Sequence, residues 1–101
     1  MTLYTENINM EKPIIEIEYC TKCRWLARAS WIAQELLSTF SNEVQGITLM
    51  PSNIAGIFEI RCGREIIWER GKKKGMPEIK ILKQKVRDIV APEKDLGHID
   101  S

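Results

Sequence analysis

The hydrophobic period of this chain changes at one short tetrad, Cys20-Thr21-Lys22-Cys23. Before it, the run from Pro13 to Tyr19 alternates like a strand, with Ile15, Ile17 and Tyr19 on one face and Ile14, Glu16 and Glu18 on the other. After it, from Arg24 to Phe40, the residues Trp25, Ala29, Ile32, Ala33, Leu36, Leu37 and Phe40 recur at helical spacing and build one apolar stripe. Two cysteines separated by two residues can close a small disulfide ring. At the start of a helix a sulfur faces unpaired backbone N–H groups and the positive end of the helix dipole. Both favour the thiolate, which is the nucleophile in thiol–disulfide exchange. On this reading Cys20, just ahead of the helix, is the more exposed sulfur.

The rest of the chain places the tetrad in a fold. Ser41-Asn42 ends the helix and Val44 to Met50 reads as a second strand, so the first two strands are parallel with a right-handed crossover. Pro51-Ser52-Asn53 is expected to break the chain. Ile57 to Cys62 and Glu65 to Arg70 alternate around Gly63-Arg64, which suits a tight hairpin. Lys72-Lys73-Lys74, between Gly71 and Gly75, reads as a basic loop. Pro77-Glu78 opens a last helix whose buried stripe is Ile79, Leu82, Val86, Ile89 and Val90, with Lys80, Lys83, Lys85 and Arg87 facing water. The order is β-α-β-β-β-α, an α/β, thioredoxin-like arrangement with a four-stranded mixed sheet packed against two helices. Residues 1–12 and 92–101 are expected as tails flanking a domain over residues 13–91.

Composition removes several function classes. Fifteen Lys and Arg against fourteen Asp and Glu leave a net charge of +1, so no global field points to nucleic acid or to a membrane surface. The apolar runs are far short of a membrane span. The N-terminus lacks a signal-peptide pattern and the cysteine count of 3 is odd, so a reducing cytoplasm is the expected compartment. A closed zinc site needs four ligands, and beyond Cys20 and Cys23 only Cys62 and His98 remain, so no metal site is expected. Cys62, in register with Phe58 and Ile60, reads as a buried thiol. Lys22 and Arg24 add positive charge beside the pair, which favours thiolate. Trp31 falls on the polar side of its helix with Arg24, Arg28, Glu35 and Ser38. It either lies flat on the surface or contacts a partner or a second protomer, and the expected state is a monomer or weak homodimer.

Further markers are ordered along the chain: Tyr19 through Trp25, Arg28-Ala29, Gln34 through Leu37 with Phe40, Gly56 through Ile60, Ile67-Trp68 and Arg70, Pro77-Glu78 with Lys80, Arg87-Asp88, and Leu96-Gly97-His98. Together they resemble the bacterial members of the selenoprotein W, T and H group, the Rdx family. The resemblance implies a thioredoxin-like fold and a thiol-redox site at Cys20 and Cys23, flanked by Thr21, Lys22 and Arg24. In the animal selenoproteins the second motif position is selenocysteine, and here it is Cys23. The resemblance further implies a thiol–disulfide oxidoreductase with no bound cofactor, with glutathione as reductant and thiol-containing proteins as partners. The alternative is a non-enzymatic interaction module whose binding depends on oxidation state. Analogy with thioredoxin makes Cys20 the attacking sulfur, whereas the selenocysteine position favours Cys23, and the order stays open. Thioredoxins also carry a cis-proline facing the disulfide, where this chain has Gly56 before the Ile57 strand, and a Gly-Pro dipeptide where it has Thr21-Lys22. The segment Leu96-Gly97-His98 is expected to be a docked tail.

Overall fold

In a computed structural model the described residues are 12–73 and 75–97. They form a four-stranded sheet of order β2-β1-β3-β4, built from β1 (Ile14–Cys20), β2 (Gly46–Ser52), β3 (Phe58–Cys62) and β4 (Glu65–Glu69). β1 pairs in parallel with β2 and antiparallel with β3, and β3 pairs antiparallel with β4, so the sheet is mixed as expected. Helices α1 (Leu26–Phe40) and α2 (Ile79–Val90) lie against one face and against each other.

The alternation in β1 explains which face they cover. Ile15, Ile17 and Tyr19 are buried with Phe58, Ile60 and Cys62 of β3, beneath Ala29, Ile32, Leu36 and Phe40 of α1 and Leu82 and Val86 of α2. On the other face Arg61 ties the strands together. Its guanidinium reaches Glu16 at 3.0 Å, Glu18 at 3.3 Å and Glu59 at 2.7 Å, so two β1 carboxylates and one from β3 share one cation. Glu16 and Glu18 of β1 thereby share a cross-strand partner in β3. Between β3 and β4 the chain turns through Gly63 at φ 62°, a left-handed conformation that glycine adopts without strain.

Five expectations are corrected. Pro51 does not break β2 but sits inside it, which is tolerated because β2 is an edge strand with one side free of ladder bonds. The first helix does not start at Arg24: Thr21–Cys23 forms a 3₁₀ turn, Arg24 is left-handed at φ 59°, and α1 begins at Leu26. Leu37, at the border of the stripe, is exposed. The basic run is not a loop from its start, since Arg70–Lys73 forms a single helical turn, while Lys74 lies outside the described residues. Lys83 does not face water: it is buried and donates to Glu35 at 3.0 Å. It lies on the same helix face as Ile79 and Val86, three or four residues away, and Glu35 of α1 is what makes that position tolerable for an ammonium.

The C-terminal segment docks as far as it is described. Leu96 is buried in the core, Lys94 pairs with Glu43 at 3.2 Å, and Arg87 donates to the Lys94 carbonyl at 3.2 Å. His98 lies outside the described residues. The Lys83–Glu35 pair should respond asymmetrically to mutation. Glu35→Ala strands a buried ammonium and is expected to cost about 1–3 kcal/mol in urea unfolding. Lys83→Met, which leaves a half-exposed carboxylate that water can reach, is expected to cost less than Glu35→Ala.

Candidate functional site

β1 ends at Cys20, and the tight turn Thr21–Cys23 brings the second cysteine back over it. Two contacts hold this end of the strand. The Cys20 amide donates to the Ile57 carbonyl at 2.9 Å, and the Thr21 hydroxyl donates to the Ser52 carbonyl at 3.3 Å. The loop after β2 and the start of β3 therefore form a wall beside the cysteines. Thr21 serves as a tether of the turn, and Lys22 is exposed on it.

Exposure of the two sulfur-bearing residues is the reverse of the sequence expectation. Cys20 is 2% exposed and buried at the strand end, whereas Cys23 is partly exposed. The reason is the 3₁₀ turn: with α1 starting only at Leu26, Cys20 remains part of the sheet and Cys23 rides on its rim.

The two thiols are shifted in opposite directions. The Cys23 S–H donates to the Cys20 sulfur, and this bond is the main cause that holds the Cys20 thiol below its ordinary range. The Gly56 N–H adds to it, burial opposes it, and the amides of Lys22 and Cys23 contribute smaller pulls. Cys23 is pushed up, first as the donor in that bond and then by burial, while the Gly56 N–H and the Arg70 charge act the other way. Gly56, at φ 76°, thus presents one amide to both sulfurs from the position where thioredoxins hold a proline.

Arg70 is the functional neighbour that the reading of the tetrad missed, and Gly56, noted there only as standing in place of a proline, contributes its amide. Arg70 follows β4, lies with its guanidinium carbon 5.0 Å from the centroid of the Trp25 ring, and shares a small groove with Ile54 through Glu59. Trp25 in turn meets Phe58 edge-on, with ring centroids 5.8 Å apart. Among the described residues the guanidinium lies over the Trp25 ring and makes no ion pair with a carboxylate, although Glu59 and Glu69 line the same groove. Position in sequence gave no hint of this, because Arg70 is 47 residues from Cys23 and meets it only through the β3–β4 hairpin. Arg24 is exposed and lines a second groove with Trp25, Arg28 and Trp31.

Cys62 stands apart. It pairs with Ile15 at the start of β1, five residues and therefore about 17 Å from Cys20 along the strand. Burial, and then Glu65, push its thiol up, as befits an inert core cysteine. Among the described residues no group of three His, Cys, Asp or Glu side chains could hold a metal ion. None of the helices among the described residues is long and apolar enough to cross a membrane.

The family model for the Rdx family matches residues 14–88, from the first residue of β1 into the last turns of α2, and so covers most of the chain. This chain belongs to the Rdx family. A crystal structure of a selenoprotein W-related protein from Vibrio cholerae is similar to this Rdx chain at 49% identity and a TM-score of 0.75, covering 78% of this chain and 98% of that one. A crystal structure of a Bordetella parapertussis protein matches at 47% identity and a TM-score of 0.74, covering 77% of this chain and 98% of that one. No curated protein matches the chain. The thioredoxin-like fold and the selenoprotein W-like character inferred from the sequence are thereby established.

The opposite shifts in this Rdx pair can be read by titration. Thiolate absorbance should show one thiol ionising below the unperturbed range of about 8.5. Cys23→Ala removes the donor to Cys20 and should raise the Cys20 pKa above that in Cys23→Ser, which keeps a hydroxyl donor. The sign follows because the bond stabilises only the charged form of Cys20.

Proposed function

We propose that this protein is a small thiol–disulfide oxidoreductase of reducing compartments, in which Cys23 attacks and Cys20 resolves. The carrying observation is the tight turn that sets the partly exposed Cys23 beside the buried Cys20 at the end of β1. Cys23 is the sulfur that a protein disulfide can reach, since Cys20 is closed off. As the new bond forms, the Cys23 proton passes to the Cys20 sulfur. This transfer is uphill because Cys20 is the more acidic thiol, and consumption of the Cys23 thiolate by the disulfide draws it forward. The nearby Arg70 charge favours the thiolate that forms.

The step balances as follows. The Cys23 sulfur bonds to one sulfur of the substrate disulfide, whose other sulfur leaves as thiolate and takes up a proton. Cys20, losing its proton again with help from the surrounding N–H groups, attacks the Cys23 sulfur and expels the second substrate thiol. Two electrons pass from the cysteine pair to the substrate. Two molecules of glutathione can return them, ending as glutathione disulfide, which makes glutathione the proposed reductant. Thr21 shapes the turn in this reading, and Lys22 and Arg24 act on the approach of substrate rather than on either sulfur.

A second reading, an interaction module whose affinity follows oxidation state, is favoured by one feature: Trp31 is 42% exposed beside the motif. It requires no turnover. The two separate by trapping. With a chromogenic disulfide substrate, Cys20→Ser should accumulate a stable mixed disulfide on Cys23, and turnover should fall by at least 10²-fold, as expected for loss of a covalent step. Cys23→Ser should trap little. Accumulation on Cys20 in Cys23→Ser, with none in Cys20→Ser, would reverse the order. Absence of any adduct in either variant would leave the module reading standing alone.

A further inference from the structure

Along the exposed side of α1, next to the motif, runs an open groove of about 520 Å³ lined by Arg24, Trp25, Ala27, Arg28, Trp31 and Met76. Its chemistry is uneven for a surface with a net charge near zero. Arg24, left-handed just ahead of α1, and Arg28, in the first turn of α1, both line it, and among the described residues no hydrogen bond or ion pair occupies either guanidinium. Lys22, on the motif itself, is exposed and unpaired in the same sense. Elsewhere Arg61 is matched by three carboxylates, Lys83 by Glu35 and Lys94 by Glu43, while Arg70 lies over the Trp25 ring.

No acidic residue occurs from Thr21 to Gln34, and the first turn of α1 has neither an acidic side chain nor a side-chain cap. Its free N–H groups add further positive character at the same end. The carboxylates that could have balanced this rim are gathered on the far face of the sheet around Arg61. Between the cations lie two indoles and a thioether, surfaces that accept apolar or aromatic side chains. The groove is open along its length, which suits a length of chain laid across it better than a small molecule enclosed by it.

We propose that this groove docks an acidic segment of the protein whose disulfide is reduced, with carboxylates on Arg24 and Arg28 and an apolar side chain between Trp25 and Trp31. This rests on the oxidoreductase reading and names its substrate class. Docking along α1 carries the substrate disulfide toward Cys23, the sulfur on the rim. The exposure of Trp31 in a groove that begins at Arg24, next to the motif, then has a purpose.

The test uses the full chain and three peptides, each with one cysteine as a mixed disulfide to 2-thiopyridine and a flanking tryptophan. Their other positions are glutamate, glutamine or lysine. With reduced protein at low salt, the acidic peptide should release thiopyridone at least tenfold faster than the basic one, and the ratio should shrink as salt screens the charges. Arg24→Glu/Arg28→Glu should invert that ratio, and Arg28→Glu alone, at an exposed helical position, should lower it if the double variant fails to fold. A ratio near one in the unaltered protein, or one unmoved by either substitution, would overturn the proposal. Binding is read separately with Cys20→Ser/Cys23→Ser protein and serine versions of the peptides, through quenching of indole fluorescence. Tighter binding of the acidic peptide there, with no thiopyridone release by the unaltered protein, would sustain the groove and sink the oxidoreductase reading. Equal affinity for acidic and basic peptides would sink the groove whatever the chemistry does.

Discussion

β1 is the element on which the rest of the molecule depends. It is the only strand among those described that has a parallel neighbour on one side and an antiparallel one on the other, and its inner face holds Ile15 and Ile17 completely buried. Each of these side chains contributes about 1.5–3 kcal/mol through removal from water. The outer face is held by Arg61, which binds both β1 glutamates and Glu59 of β3 at once. A strand fixed on both edges and both faces has a definite end, and Cys20 is that end. The position of the first sulfur is therefore a consequence of the sheet, while the second is placed by the short turn that follows.

This division of labour gives the two cysteines different environments from nearly identical local sequence. Cys20 inherits the burial of the sheet and receives hydrogen bonds from Cys23 and the Gly56 amide; Cys23 inherits the exposure of the turn and the neighbourhood of Arg70. One site thus has a reachable sulfur and a sheltered one that is more easily ionised. Left-handed Arg24 contributes by delaying the helix, so that Cys20 stays in the sheet rather than capping α1. A non-glycine residue in that conformation carries a modest strain, which is characteristic of functional turns.

Much of the fold was legible because its signals are local. The period-two run Ile15, Ile17, Tyr19 and the helical stripe through Ile32, Leu36 and Phe40 occupy the positions expected of them. The hairpin at Gly63-Arg64 follows from one residue that tolerates positive φ. The errors arose where a neighbour decides. Pro51 fits because β2 is an edge, a property of sheet order that no window of sequence contains. Lys83 is buried because Glu35 comes to it from another helix, and Arg70 reaches the cysteines only after β3 and β4 have paired. The site was half visible: Cys20 and Cys23 announce themselves by spacing, whereas Gly56 stands out only as a missing proline and its amide carries no side chain to reveal its role. The relative exposure of the two sulfurs depends on a turn geometry that helical periodicity masks.

The central claim is that Cys20 and Cys23 form the redox pair while Cys62 is bystander core. The most direct measurement is equilibration of the full chain in glutathione redox buffers, followed by quenching and mass mapping of thiols. The account predicts that oxidising buffers remove two thiols together, linked as a Cys20–Cys23 disulfide, with Cys62 still reduced. Retention of all three thiols across the whole range of buffers, or a disulfide that includes Cys62, would contradict it.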